Sequence, residues 1–227
     1  FQNLYSWQAQ EKYPHRFLAA GAYDPYSRSR DKIVQHLFED LALRVVKFEV
    51  STGSGLMANH PVFSLDGEMM ERELSFAEQH RLVVVIDIGK LGSPSSQIDA
   101  LRRAVLRHPG MKFVVCHLLA PKQSELSLMA AGLEALHLPN VWFDLASLQH
   151  NVRPDEAPYP VTRAFIHKAV EIVGAERLLF GTDLPSNLCK FRYADMVNTI
   201  AEDAVLAAEQ RQRILYSNAL DVFWDGK

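Results

Sequence analysis

Six short apolar runs alternate along the chain with stretches of helical period. The runs cover residues 17–23, 43–50, 82–87, 112–117, 141–145 and 178–182 and are rich in Val, Ile, Leu and Phe, as strands covered on both faces are. Between them, residues 31–41 carry Ile33, Val34, Leu37 and Phe38 on one stripe, and 67–80, 97–107, 124–136, 162–173 and 193–207 show comparable amphipathic patterns. Ser96 and Ser124 stand where helices start, and Pro109-Gly110 and Gly174 where they stop. Strict alternation of this kind predicts a parallel sheet whose strands are joined by right-handed helical crossovers.

Three of the runs end in a polar residue, and parallel-sheet enzymes keep their chemistry at that end of the strands. The run from Leu178 to Phe180 leads into Gly181-Thr182-Asp183-Leu184-Pro185, where Gly181 permits a close backbone approach and Asp183 is the first side chain able to reach a cavity. Residues 82–87 end in Asp87 and residues 112–117 in His117. Period-two alternation groups Val83 and Val85 with Asp87, and Phe113 and Val115 with His117, so both tips are expected to point with inward-packed neighbours and to converge with Asp183. Taken singly, each residue also has a structural reading: Asp183 capping the turn before Pro185, Asp87 accepting loop amides, His117 a bonded core histidine. Lys47 at another strand tip suits a substrate carboxylate or a rim position, and Asp144 and His150 are weaker candidates.

Composition narrows the partners. The 227 residues are 48% hydrophobic and 22% charged, enough for the core of a single domain spanning 1–227, and neither a repeat nor a linker divides them. A net charge of −3 and a pI near 6.3, without a Lys/Arg cluster, point to small molecules as partners and away from nucleic acid or an anionic membrane surface. There is no apolar stretch of spanning length and no leader opens the chain, so a soluble, cytoplasmic protein is expected. The two cysteines make neither a disulfide framework nor a C-x-x-C site, and Cys116 is expected to turn away from His117 and pack as a small hydrophobe. The segments 51–66 and 147–160 follow strands and are candidate lids.

The order of these motifs resembles the amidohydrolase-related (amidohydrolase-2) proteins, metal-dependent hydrolases and decarboxylases on a (β/α)8 TIM-like barrel. Tyr13-Pro14-His15-Arg16-Phe17 through Tyr23-Asp24-Pro25 looks like the approach to the family's third strand, and Leu43-Arg44-Val45-Val46-Lys47-Phe48 like its fourth. Val83-Val84-Val85-Ile86-Asp87 stands at the fifth, Phe113-Val114-Val115-Cys116-His117-Leu118 resembles the sixth, and Asn140-Val141-Trp142-Phe143-Asp144-Leu145-Ala146 the seventh. Residues Gly174 to Pro185 resemble the family's most specific signature, and Arg213 to Phe223 its terminal helix. The chain departs from the pattern twice. The first strand's His-x-His pair does not occur in this sequence, which starts near the third strand, and Asp87 stands where the fifth strand usually offers His.

That resemblance implies an α/β barrel with parallel strands and outer helices, its first strands missing from the chain. It implies a divalent metal ion, zinc or manganese, held by Asp183 and Asp87, with the missing pair completing the set. Asp183 would take a proton from an activated water while His117 polarises the carbonyl of a lactone, ester or amide and Lys47 binds the substrate. The alternatives are non-oxidative decarboxylation of a small aromatic or unsaturated acid, and a metal-free barrel that only binds. An arginine- and aromatic-rich pocket would favour decarboxylation. A homodimer is plausible as the commonest closed assembly.

Overall fold

The structure is a computed structural model that describes residues 2–224. Six parallel strands form one sheet in the order of the sequence: β1 Ala20–Ala22, β2 Val45–Glu49, β3 Val83–Asp87, β4 Phe113–Val115, β5 Val141–Asp144 and β6 Leu178–Leu179. Because every strand pairs with its sequence neighbour, each connection must cross over the sheet. The crossovers carry the helices Arg30–Gln35, Glu68–Gln79, Ile98–Arg107, Leu126–Leu136 and Pro160–Val173. A further helix, Tyr193–Ala201, follows β6. β1 and β6 are the two edges of the sheet among the described residues, so six strands stand where the expected ring has eight.

The two faces of the sheet differ. Val46, Phe48, Val84, Ile86, Phe113, Val115, Phe143 and Leu178 point to the helices and join the main core. Each helix meets them with its apolar stripe: Ile98–Arg107 buries Ala100, Leu101, Ala104 and Val105 and leaves Arg102 and Arg103 exposed. On the other face Val45, Val83, Val114 and Leu179 form a smaller cluster closed by Val222 of the terminal helix Asn218–Phe223. Gly174 ends the helix Pro160–Val173 at φ +79, a conformation that disfavours any side chain.

Sequence and structure part at several places. The strand read at 112–117 is only Phe113–Val115, and its faces are the reverse of the expectation: Phe113 and Val115 face helices while Val114 faces the second cluster. The strand read at 178–182 is two residues long, because Phe180 gives its amide to Ile214 of a neighbouring segment and leaves the ladder. The strand read at 17–23 shortens to Ala20–Ala22, and the helix read at 193–207 stops at Ala201. Segment 51–66 is packed down by buried Leu56, Phe63 and Leu65 and contains the short helix Leu56–Asn59.

One buried carboxylate anchors the outer layer. Glu73 is fully buried and accepts from the Tyr23 hydroxyl at 2.5 Å, from Arg30 at 2.6 Å and from Arg72 at 2.8 Å. Burial, reinforced by Glu73, pushes the Tyr23 phenol well above its ordinary range. A buried charge so fully paired is a structural device.

Candidate active site at the strand tips

In-register pairing sets three tips at one level. Glu49 pairs with Asp87, Ile86 with Val115, and Val115 with Phe143, so Asp87, Cys116 and Asp144, each one step further on, end at the same height. Alternation then decides the side on which they emerge. Lys47 follows Val45, Asp87 follows Val83 and Val85, Cys116 follows Val114, and Asp144 follows Trp142, all on the second face. The apolar floor of that face therefore gives way to a layer of polar side chains.

His117 reaches this layer by a different route. Strand β4 ends at Val115, and His117, Leu118, Leu119 and Ala120 then take φ of 62, 49, 68 and 48, left-handed values costing about 1–2 kcal/mol each in non-glycine residues. Fully buried Leu118 and Leu119 hold that turn from one side. Asp144 holds it from the other, its Oδ1 accepting from the amides of His117 at 2.9 Å and Ala146 at 3.0 Å. The turn swings the His117 ring between two acceptors: Nδ1 lies 3.0 Å from the carbonyl oxygen of Ala146, and Nε2 lies 3.0 Å from Oδ2 of Asp87. The other oxygen of Asp87 accepts from the Gly89 amide at 2.9 Å.

The electrostatics follow from this packing. Burial disfavours charge on the His117 ring, but the Asp87 bond, the Asp144 and Asp87 charges and the Ala146 carbonyl outweigh it and raise the imidazole to about 9. The Asp87 carboxyl is pushed up by burial and, more strongly in sum, held below its ordinary value by the His117 bond and charge, the Gly89 amide and the Lys47 charge. Lys47 is half-buried; burial works against its charge, and the Cys116, Asp87, Glu49 and Asp144 groups raise it nonetheless. Burial pushes the Cys116 thiol well up, with the charge of Asp144 adding and that of Lys47 opposing.

Of the expected residues, Asp87 and His117 come into contact and Lys47 stands beside them. Asp183 does not join them. It is exposed, with φ +53, and its Oδ2 accepts from the Ser147 hydroxyl at 2.6 Å. The two places are nonetheless linked, since Ala146 binds His117 and its neighbour Ser147 binds Asp183. Gly181 makes this link possible: a Cβ there would lie 2.9 Å from that of Ala146. His150 lies nearby with Nδ1 buried and unpartnered, its ring held below its ordinary value by burial and by Arg153 and Lys190.

Two residues carry more than the sequence reading gave them. Cys116 turns inward, correcting the expectation that it packs away from His117: its sulfur, an oxygen of Asp87 and a ring nitrogen of His117 all lie within 4.8 Å of one another. Asp144 is the positioning carboxylate for the His117 turn. Both were legible from the partner strand, since Val114 and Trp142 share the parity of Val45 and Val83. Nitrogen, oxygen and sulfur donors at such spacing are a donor set that zinc accepts, so these residues fit a divalent cation.

Comparison with known proteins follows the same line. The amidohydrolase family profile matches residues 2–223. No curated protein sequence matches the chain. Among solved structures, an amidohydrolase from Burkholderia multivorans with bound zinc superposes at a TM-score of 0.78 and 19% identity, over 97% of this chain and 78% of that one. An uncharacterized TIM-barrel protein from Bordetella bronchiseptica gives 0.72 and 18%, over 97% and 71%. A 5-carboxyvanillate decarboxylase from Novosphingobium aromaticivorans, complexed with manganese and 4-hydroxy-3-methoxy-5-nitrobenzoic acid, gives 0.67 and 16%, over 98% and 68%. The sheet is thus six parallel strands of a TIM-barrel fold, and the chain belongs to the amidohydrolase family.

Proposed function

We propose that the protein is a metal-dependent hydrolase of a small carbonyl compound, a lactone, ester or amide, that also carries an anionic group. The observation that carries this reading is the Asp87–His117 contact at adjacent strand tips, with the Lys47 cation beside it. The neighbouring cleft, about 430 Å³, is lined by Lys47, Glu49, Asp24 and Asn59 among others and holds no arginine among the described residues. Its aromatic ring, Tyr23, is committed through its hydroxyl to Glu73 and packs edge-on against Phe38 and Phe48. Lys47 is the one cation among the described lining residues, beside the carboxylates of Asp24 and Glu49, and no ring there is free to stack on an aromatic acid, which favours hydrolysis over decarboxylation.

The residues divide the work. Asp87 and His117 would hold the cation, zinc or manganese. Its chemistry, when bound, is Lewis acidity, which polarises a carbonyl oxygen and brings a water from a pKa of about 15.7 to about 7. His117 keeps its Nδ1 hydrogen on the Ala146 carbonyl, which fixes the tautomer and leaves Nε2 to face the reacting centre. Lys47 binds the substrate's anionic group. Asp183, steadied at one oxygen by Ser147 and joined to His117 through the adjacent residues Ala146 and Ser147, would take up the proton through a water between the two places.

The test is a panel of carboxylated lactones, esters and amides run beside aromatic carboxylic acids, with product acid and carbon dioxide both measured. Hydrolysis that is lost on chelation and regained with zinc or manganese is the expected result. Carbon dioxide release without hydrolysis, or ligand binding by inactive metal-free protein, overturns the proposal.

A further inference from the structure

We infer that Cys116 is itself a metal ligand, so that Asp87, Cys116 and His117 form a carboxylate–thiolate–imidazole site that selects zinc over manganese. This rests on the reading that the site holds a cation, and it goes further by naming a sulfur donor and the selectivity that follows from it.

Placement is the first argument. Below Cys116 the same face is filled by Val45, Val83, Val114 and Leu179, and a cysteine serving as a small hydrophobe belongs in that layer. Cys116 instead ends the apolar stack and sits among Asp87, His117, Asp144 and Lys47. It is 3% exposed, so its sulfur is committed to these neighbours. The thiol can give its hydrogen to the Asp144 carboxylate, and a cation held by Asp87 and His117 would turn the same position to a thiolate's advantage.

Spacing is the second. With bonds of about 2.3 Å to sulfur and 2.0–2.2 Å to nitrogen and oxygen, ligand atoms around tetrahedral zinc lie roughly 3.4–3.8 Å apart. Here the three donor atoms fall within 4.8 Å of one another. The surroundings of the donors agree. The Nδ1 side of His117 is already tied to a backbone carbonyl and one oxygen of Asp87 to the Gly89 amide, the outer bonds that orient ligands in metal sites. Lys47 supplies a positive charge beside two anionic donors.

Chemistry gives the selectivity. On binding, the thiol proton of Cys116 and the imidazolium proton on the metal-facing nitrogen of His117 both leave to solvent, the ring nitrogen enters as a neutral donor, and sulfur contributes its electron pair. Thiolate favours zinc, while manganese prefers oxygen donors. The Asp that replaces the family's fifth-strand His adds negative charge to the set, and the adjacent sulfur returns borderline-soft character to it.

The experiment uses the 227-residue chain carrying Cys189→Ser, in which Cys116 is the remaining cysteine. Loaded with cobalt(II), it is expected to show an intense near-ultraviolet thiolate-to-cobalt band. Cys116→Ser should abolish that band and weaken zinc binding by more than the roughly 10–100-fold that losing an outer bond costs. X-ray absorption at the zinc edge of the unmutated protein is an independent reading that needs no core substitution. One sulfur at about 2.3 Å beside nitrogen and oxygen at about 2.0–2.2 Å supports the inference. A shell of nitrogen and oxygen alone, an unchanged zinc affinity in Cys116→Ser, or a protein that binds no metal overturns it. Hydrolysis measured on the same samples separates the two proposals: a sulfur shell with no hydrolysis sinks only the proposed activity, and hydrolysis without sulfur sinks only this inference.

Discussion

The tips of β3 and β4 and the tip of β6 are written alike in the sequence, as apolar runs that end in a polar side chain, yet they reach different physical states. Asp87 and His117 are drawn into contact under neighbouring loops, and each shifts the other's proton affinity. Asp183 ends on an exposed turn with a serine for its partner. The difference lies in what surrounds each tip. β3 and β4 have a strand on either side, so their ends are walled by Lys47 and Asp144, whereas β6 is a sheet edge in the described residues and its end is open on one side. Burial of a tip therefore depends on its neighbours in the sheet, which no single segment encodes.

The sharpest way to break this comparison is to neutralise the two carboxylates separately. Asp87→Asn removes the counter-charge of His117 and one donor of the proposed cation site at once, so both zinc content and hydrolysis should fall, turnover toward the upper end of the 10²–10⁴-fold range for acid–base and positioning groups. Metal analysis beside a rate assay reads both. A variant with undiminished zinc and rate would show that the buried tip is only structural. Asp183→Asn should slow turnover by roughly 10²-fold while leaving zinc content intact, since Asp183 lies outside the three-donor group. Loss of zinc in that variant would restore Asp183 to the ligand set that its sequence motif implies.

Most of the fold was legible because strands buried on both faces and amphipathic helices announce themselves by period alone. Tip chemistry was legible only in part. Asp87 was assigned to the right face because β3 is regular to its end. Parity counted back from His117 reverses the faces of β4, and with them Cys116. His117 has left the strand and turned left-handed, so it carries no information about the strand's parity. The Leu178–Thr182 run failed in the same manner: Phe180 finds its backbone partner at Ile214, far along the chain, and the ladder ends early.

A backbone substitution sharpens the link between the two regions. Gly181→Ala would place a methyl group 2.9 Å from Cβ of Ala146 and 3.3 Å from its amide nitrogen, so the end of β6 must move off the β5 tip. Overpacking of this kind costs about 1–3 kcal/mol, which a domain of this size should register as a fall of about 2–4 °C in Tm per kcal/mol. Because Ala146 also accepts from His117, the rate should drop although no polar side chain is touched. Combining it with Ala146→Gly removes the facing methyl and should recover part of the loss, a coupling that a double-mutant cycle measures. Strict additivity would mean that the two tips do not communicate through Ala146.

The smallest expected effect is the most discriminating about Ser147. This residue sits at φ +59 and gives its hydroxyl to Asp183 while accepting from Asn187 at 2.9 Å. Ser147→Gly loses those bonds, worth about 0.5–1.5 kcal/mol each, but relieves a left-handed conformation that disfavours serine by about 1–2 kcal/mol. The two nearly cancel, so its Tm should stay close to that of the unmodified protein. Ser147→Ala loses the bonds and keeps the strain, so it should melt lower than the glycine variant. If Ser147 serves to steady Asp183, both variants should slow hydrolysis by a similar factor, below tenfold, despite their different stabilities. If it serves only the fold, rate should track Tm and the glycine variant should be indistinguishable from the parent.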